Sequence, residues 1–116
     1  MTQLPITYRL YIRLRHRATI QPGRLGRWSL RRGWYVYTGS ARRHMAARLQ
    51  RHLAGSGRRR WHIDWLLADP NAEIVHVVLD HEPECLVNAG LSGRVVIPRF
   101  GATDCRSGCG SHLLWL

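Results

Sequence analysis

Apolar and polar residues alternate along residues 8–15, YRLYIRLR. Tyr8, Leu10, Ile12 and Leu14 fall on one side, and Arg9, Tyr11, Arg13 and Arg15 on the other. Successive side chains of a strand point to opposite faces, so this segment predicts a strand with one buried face. A turn-rich stretch, QPGRLGRWSL, leads to a second aromatic and β-branched run, WYVYT at 34–38. Together the two runs predict a long antiparallel hairpin. Gly39-Ser40 ends the second strand, with Ser40 suited to cap a helix. In that helix Ala41, Met45, Leu49 and Leu53 recur every four residues and predict its buried stripe. Arg43, Gln50 and Arg51 then face away, while Arg48 and His52 lie along the stripe's edge.

Further on, GSGRRR reads as a loop and WHIDWLLA as a short helix closed by DPN, although its alternation also permits a strand. The continuous apolar run IVHVVL, 74–79, predicts a strand buried on both sides. DHEPECLVNAG begins a helix, with Pro83 in its first turn and Gly90 just past its end. The remainder reads as loop as far as SHLLWL. The order β-β-α-α-β-α predicts one α+β domain over residues 1–116, a small three-stranded antiparallel sheet flanked by helices.

Charge changes the picture. The chain has 18 basic residues against 7 acidic ones, a net charge of +11, and every basic residue is Arg. Fifteen arginines fall in residues 1–60, and the first acid is Asp64. An Arg-only surface can serve solubility alone, but the missing acids favour a polyanionic partner, most simply nucleic acid. Arg42, Arg43, Arg51, Arg58, Arg59 and Arg60 are the candidate contacts. The hydrophobic content of 45 % excludes a disordered chain. No apolar run approaches the ~18 residues that span a bilayer, and no signal-peptide pattern opens the chain, so no membrane role is expected. Three cysteines form an odd, sparse set, which argues against a disulfide scaffold and for a reducing cytoplasm.

Several short motifs occur in a telling order. Ile6-Thr7-Tyr8 precedes Tyr37-Thr38-Gly39, followed by Arg48, His52 four residues later, and Glu84. This set resembles the GIY-YIG nuclease superfamily. The chain is closer still to a small branch of it, sometimes fused to a DNA-repair glycosylase, in YVYTGSA (35–41), RHL (51–53), WHIDWLL (61–67), Glu84-Cys85 and FGATDC…SHL (100–113). The resemblance implies hydrolysis of a phosphodiester, in DNA ahead of RNA, with one Mg²⁺ or Mn²⁺ held by Glu84. It also implies that Arg48 forks onto the phosphate and that Tyr8 and Tyr37 orient or deprotonate water. His52 would shuttle a proton or contact phosphate. A phenol of pKa about 10 is a poor base unless the metal or Arg48 lowers it. A DNA-repair protein is a partner it suggests.

Blander readings stand beside these. Tyr8 shares its face with three aliphatic residues and fits a core aromatic. Tyr35 shares a face with Tyr37, so either could pack against the helix. Glu84 also suits the positive end of its own helix. His62 and Asp64 read as structural hydrogen-bond partners. Two departures from the nuclease pattern stand out: Ile6 replaces the first glycine, and PRF (98–100) is followed by Gly101 where active relatives often carry Asn. They favour an alternative, a nucleic-acid-binding module that kept the fold without catalysis. A protein-interaction domain is a third reading. Cys105-x₃-Cys109-x₂-His112, with Cys85 elsewhere, offers soft ligands but lacks the usual C-x₂-C pair. Reduced, packed thiols are therefore expected, ahead of structural zinc or a disulfide.

Overall fold

The alternation near the start of the chain marks the centre of the fold. A computed structural model describes residues 4–55, 58–103 and 105–116, so Ser56-Gly57 of the basic loop and Asp104 of FGATDC lie outside the described residues. Seven strands occur among those described: β1 (Thr7–Leu14), β2 (Ala18–Ile20), β3 (Trp28–Leu30), β4 (Gly33–Ser40), β5 (Ala72–Asp80), β6 (Arg94–Val95) and β7 (Leu113–Trp115). Three helices accompany them: α1 (Met45–Ala54), α2 (His62–Leu67) and α3 (Glu84–Ala89). The long elements follow the predicted order in an α+β fold.

The main sheet has five strands rather than three, ordered β5-β1-β4-β7-β6 with every pair antiparallel. β1 pairs with β4 along its whole length, Thr7 opposite Ser40 through Leu14 opposite Gly33. β2 and β3 form a separate antiparallel pair inside the long connection. Tyr8, Leu10, Ile12 and Leu14 are at most 2 % exposed, as the alternation predicts. They join Tyr35, Ile63, Leu66, Ile97, Phe100 and Leu113 in one core.

Two predictions are corrected. The 74–79 run is not buried on both sides. It belongs to β5, an edge strand whose Val75 and Leu79 are 50 % and 46 % exposed. The pairing shifts register between Tyr11 and Ile12, leaving Val75 without an opposite residue. That bulge resets the alternation and makes the run look uniformly apolar.

The helix after β4 also starts later than predicted. Ser40 is held in the ladder opposite Thr7 and cannot cap; His44, with φ 58°, turns the chain into α1 instead. The later start rotates the buried stripe. Leu53 is 58 % exposed, whereas Met45, Arg48 and Leu49 are half-buried and His52 is buried, the spacing of a single helix face.

Candidate active site

The site begins with a missing side chain. Tyr8 stands opposite Gly39, where an added Cβ would lie 2.5 Å from the phenol oxygen and Cζ. Glycine there lets the Tyr8 ring lie across β4. The Tyr8 hydroxyl then meets His52 Nε2 at 2.8 Å. Burial lowers the His52 pKa to about 4, so the ring is neutral near pH 7, and it shares one hydrogen bond with the Tyr8 hydroxyl through Nε2. Burial also raises Tyr8 to about 12, although the Arg48 guanidinium pulls the other way.

The rotated face of α1 delivers Arg48 to the same place. Its guanidinium donates to the Ser40 carbonyl and sits 4.6 Å from the Trp61 ring centroid. Arg51, also 4.6 Å away, and Arg60, at 5.0 Å, share that indole. Asp64 offsets part of this crowding of cations. It pairs with Arg51 at 3.2 Å and accepts the Arg60 and Trp61 backbone N–H groups at 2.7 and 2.8 Å.

Beyond Trp61 opens a cleft of about 550 Å³, walled by Tyr37, Arg60, Trp61, His62, Glu84 and His112 among others. Tyr37 and Tyr35 take different paths. Tyr35 is buried with its hydroxyl donating to the Arg31 carbonyl, whereas Tyr37 meets the Phe100 edge and reaches the cleft. Burial pushes the Tyr37 pKa well above its usual value, and neighbouring Tyr8, Glu84 and Asp64 add to the rise. Glu84 opens α3 with its side chain 34 % exposed, one oxygen 3.6 Å from His112 Nδ1. Tyr37 from β4 and Glu84 from α3 line this cleft, whereas Tyr8 from β1 adjoins it with its ring 6.4 Å from that of Tyr37, His52 through its bond to Tyr8, and Arg48 through Trp61.

The predicted nucleic-acid contacts divide. Arg42, Arg43, Arg58, Arg59 and Arg60 are exposed; Arg51 is half-buried and engaged with Asp64 and the Arg58 carbonyl. His62 Nδ1 accepts the Gly101 N–H at 2.8 Å, so His62 and Asp64 are both hydrogen-bond partners that shape the cleft. Ile6 precedes β1, its N–H bonded to Asp80 and its carbonyl to Ala41, and stays clear of the cleft lining. Trp61 and Arg106 line the cleft without having been singled out for it. A tryptophan beside an arginine run carries no sequence signal that three guanidinium groups will stack on it.

The cysteines converge as well. Cys85, Cys105, Cys109 and His112 each offer a ligand atom, and the four atoms lie within 4.8 Å of one another. All three thiols are free. Backbone N–H groups of Cys109 and Ser107 draw the Cys105 thiol down to about 6, whereas burial and the neighbouring thiols push Cys109 up to about 12. Burial lowers the His112 pKa, but Glu84 and Cys105 outweigh it and the net shift is upward.

Fold and site define a small α+β domain with a cleft walled by Tyr37, Glu84, Arg60 and Arg106. A family model covers residues 7–116, and the chain belongs to that family, described as a domain of unknown function, DUF123. No curated protein and no solved structure matches the chain. Among the described residues no helix is long and apolar enough to cross a membrane.

Proposed function

We propose that this chain is a metal-dependent nuclease of GIY-YIG type, hydrolysing phosphodiesters in DNA ahead of RNA. One observation carries the reading. Tyr37 and Glu84, far apart in sequence, line one cleft with Arg60 and Arg106, and the other motif residues adjoin it: Tyr8, bonded to His52, through Tyr37, and Arg48 through Trp61. A partly exposed lone carboxylate at the cleft wall fits Mg²⁺ or Mn²⁺, which bind through one or two carboxylates and fill the rest of their shell with water and phosphate. Glu84 would hold that ion, which supplies charge neutralisation and an activated water.

The chain's own groups take the other roles. Arg48 presents a planar fork to a phosphoryl oxygen pair. Tyr37, held protonated by burial, orients water or a phosphoryl oxygen as a hydrogen-bond donor and does not act as a base. Tyr8 is anchored by its hydrogen bond to neutral His52, and its phenol, held protonated by burial, is the group that could give a proton toward a leaving oxygen. Arg42, Arg43, Arg58, Arg59 and Arg60 hold the flanking backbone.

The raised pKa values of both tyrosines favour a second reading, a nucleic-acid-binding module without catalysis serving a repair or RNA-processing partner. Purified chain incubated with labelled duplex, branched and single-stranded DNA and RNA, with Mg²⁺, Mn²⁺ or EDTA, separates the two. Metal-dependent cuts support the nuclease. Tight binding without cleavage across the panel supports the module.

A further inference from the structure

All three cysteines of the chain meet one of its seven histidines at a single point. They arrive from separate segments: Cys85 from the first turn of α3, Cys105 and Cys109 from the irregular segment before β7, and His112 from the residue next to β7. Cys85 Sγ lies 3.5 Å from Cys105 Sγ and 3.9 Å from His112 Nε2. Zinc ligands at about 2.3 Å for sulfur and 2.0 Å for nitrogen, set tetrahedrally, stand about 3.8 Å apart for S···S and 3.5 Å for S···N. The observed S···S separation of 3.5 Å is slightly shorter than its tetrahedral value and the S···N separation of 3.9 Å slightly longer, with all four ligand atoms within 4.8 Å.

We propose that Cys85, Cys105, Cys109 and His112 bind one Zn²⁺ ion in a closed tetrahedral site. Three thiols and an imidazole form a soft donor set that suits zinc rather than magnesium or calcium. A span of 4.8 Å encloses a single ion, not an iron–sulfur cluster. The missing C-x₂-C pair counts against such a site only while the ligands are sought in neighbouring residues. Here the fold brings Cys85 to the other two thiols.

The geometry behind His112 fits the same ion. Its ring is buried, with Nε2 toward the thiols and Nδ1 toward the Glu84 carboxylate at 3.6 Å, and Nδ1 has no hydrogen-bond partner among the described residues. A zinc-bound histidine ordinarily presents its other nitrogen to such a carboxylate, which fixes the ring and strengthens the ligand. The His112 backbone is already pinned, its carbonyl accepting the Thr38 N–H at 3.0 Å and its N–H donating to Phe100 at 2.8 Å. The ion would tie the segment carrying Cys105 and Cys109 to α3 and so hold one wall of the cleft. Binding requires only loss of thiol protons and no change of oxidation state.

The test reads metal, not cleavage. Wild-type chain purified under reducing conditions without chelator is analysed for zinc, then stripped and titrated with Co²⁺. The expected result is one zinc per chain and thiolate-to-Co²⁺ charge-transfer absorption that saturates at one equivalent. Cys105→Ser should weaken binding by more than about 100-fold, the upper range for losing a partner behind a ligand, and Glu84→Gln by about 10-fold. Wild-type protein that is folded by circular dichroism, with three free thiols, yet holds no zinc and gives no such absorption would overturn the proposal, whatever the variants do. So would a stable Cys85–Cys105 disulfide in the native protein.

Discussion

His52 shows how one residue links burial to pH response. Tyr8, Arg48, Arg51, Trp61 and Asp64 surround its ring, and Nδ1 has no hydrogen-bond partner among the described residues. Burial holds its pKa near 4, below the value of about 6.5 in an unfolded chain. Between those values the unfolded state binds more protons, so stability is complete above about pH 6.5 and falls as pH drops toward 4. Denaturant unfolding at pH 7 and pH 4.5 should show wild type losing more stability than His52→Gln. Equal losses would contradict a buried neutral histidine. The sequence showed His52 four residues from Arg48, and its motif supplied a role. It could not show that the Tyr8 hydroxyl would reach it, because that contact depends on Gly39 leaving room across the strand.

Elements long enough to repeat their pattern were legible, and short or interrupted ones were not. β1 alternates through eight residues, and its buried face was read correctly. β2, β3 and β6 fall in stretches that read as connection or loop, and β7 lies in SHLLWL, to which the sequence assigns no element; each is two or three residues, too short for a period to emerge. In α1 the four-residue repeat included Ala41, which the loop before the helix buries, and Leu53, which faces solvent. The true face carries Arg48 and His52, polar residues that a hydrophobic stripe cannot reveal. Leu53→Ser should accordingly stay within about 0.5 kcal/mol of wild type, as surface changes do. Asp64→Ala removes a helix-start acceptor and the partner of Arg51, and should cost about 1–2 kcal/mol. Denaturant titration of both variants measures the contrast, and a larger loss at Leu53 than at Asp64 would refute the assigned face.

Across the whole molecule, charge and site belong together. The asymmetry of arginines was legible from composition, whereas the gathering of Glu84, Tyr37, Cys85, Cys105 and His112 at one cleft required the fold that brings α3 beside β4 and the residues leading into β7. Binding to duplex DNA should weaken steeply with salt, each phosphate contact adding about 0.9 to the log–log slope. Arg42→Gln with Arg43→Gln should lower that slope by about 2, and an unchanged slope would remove these two residues from the interface. The central claim is that the cleft performs chemistry, and single-turnover cleavage by wild type and Arg48→Lys tests it most directly. Lysine keeps the charge but loses the fork, so the account predicts a rate lower by roughly 100-fold or more, the scale of losing one key electrostatic stabiliser. Metal-free affinity and zinc content should stay unchanged. An Arg48→Lys variant that is folded and cleaves as fast as wild type would contradict it.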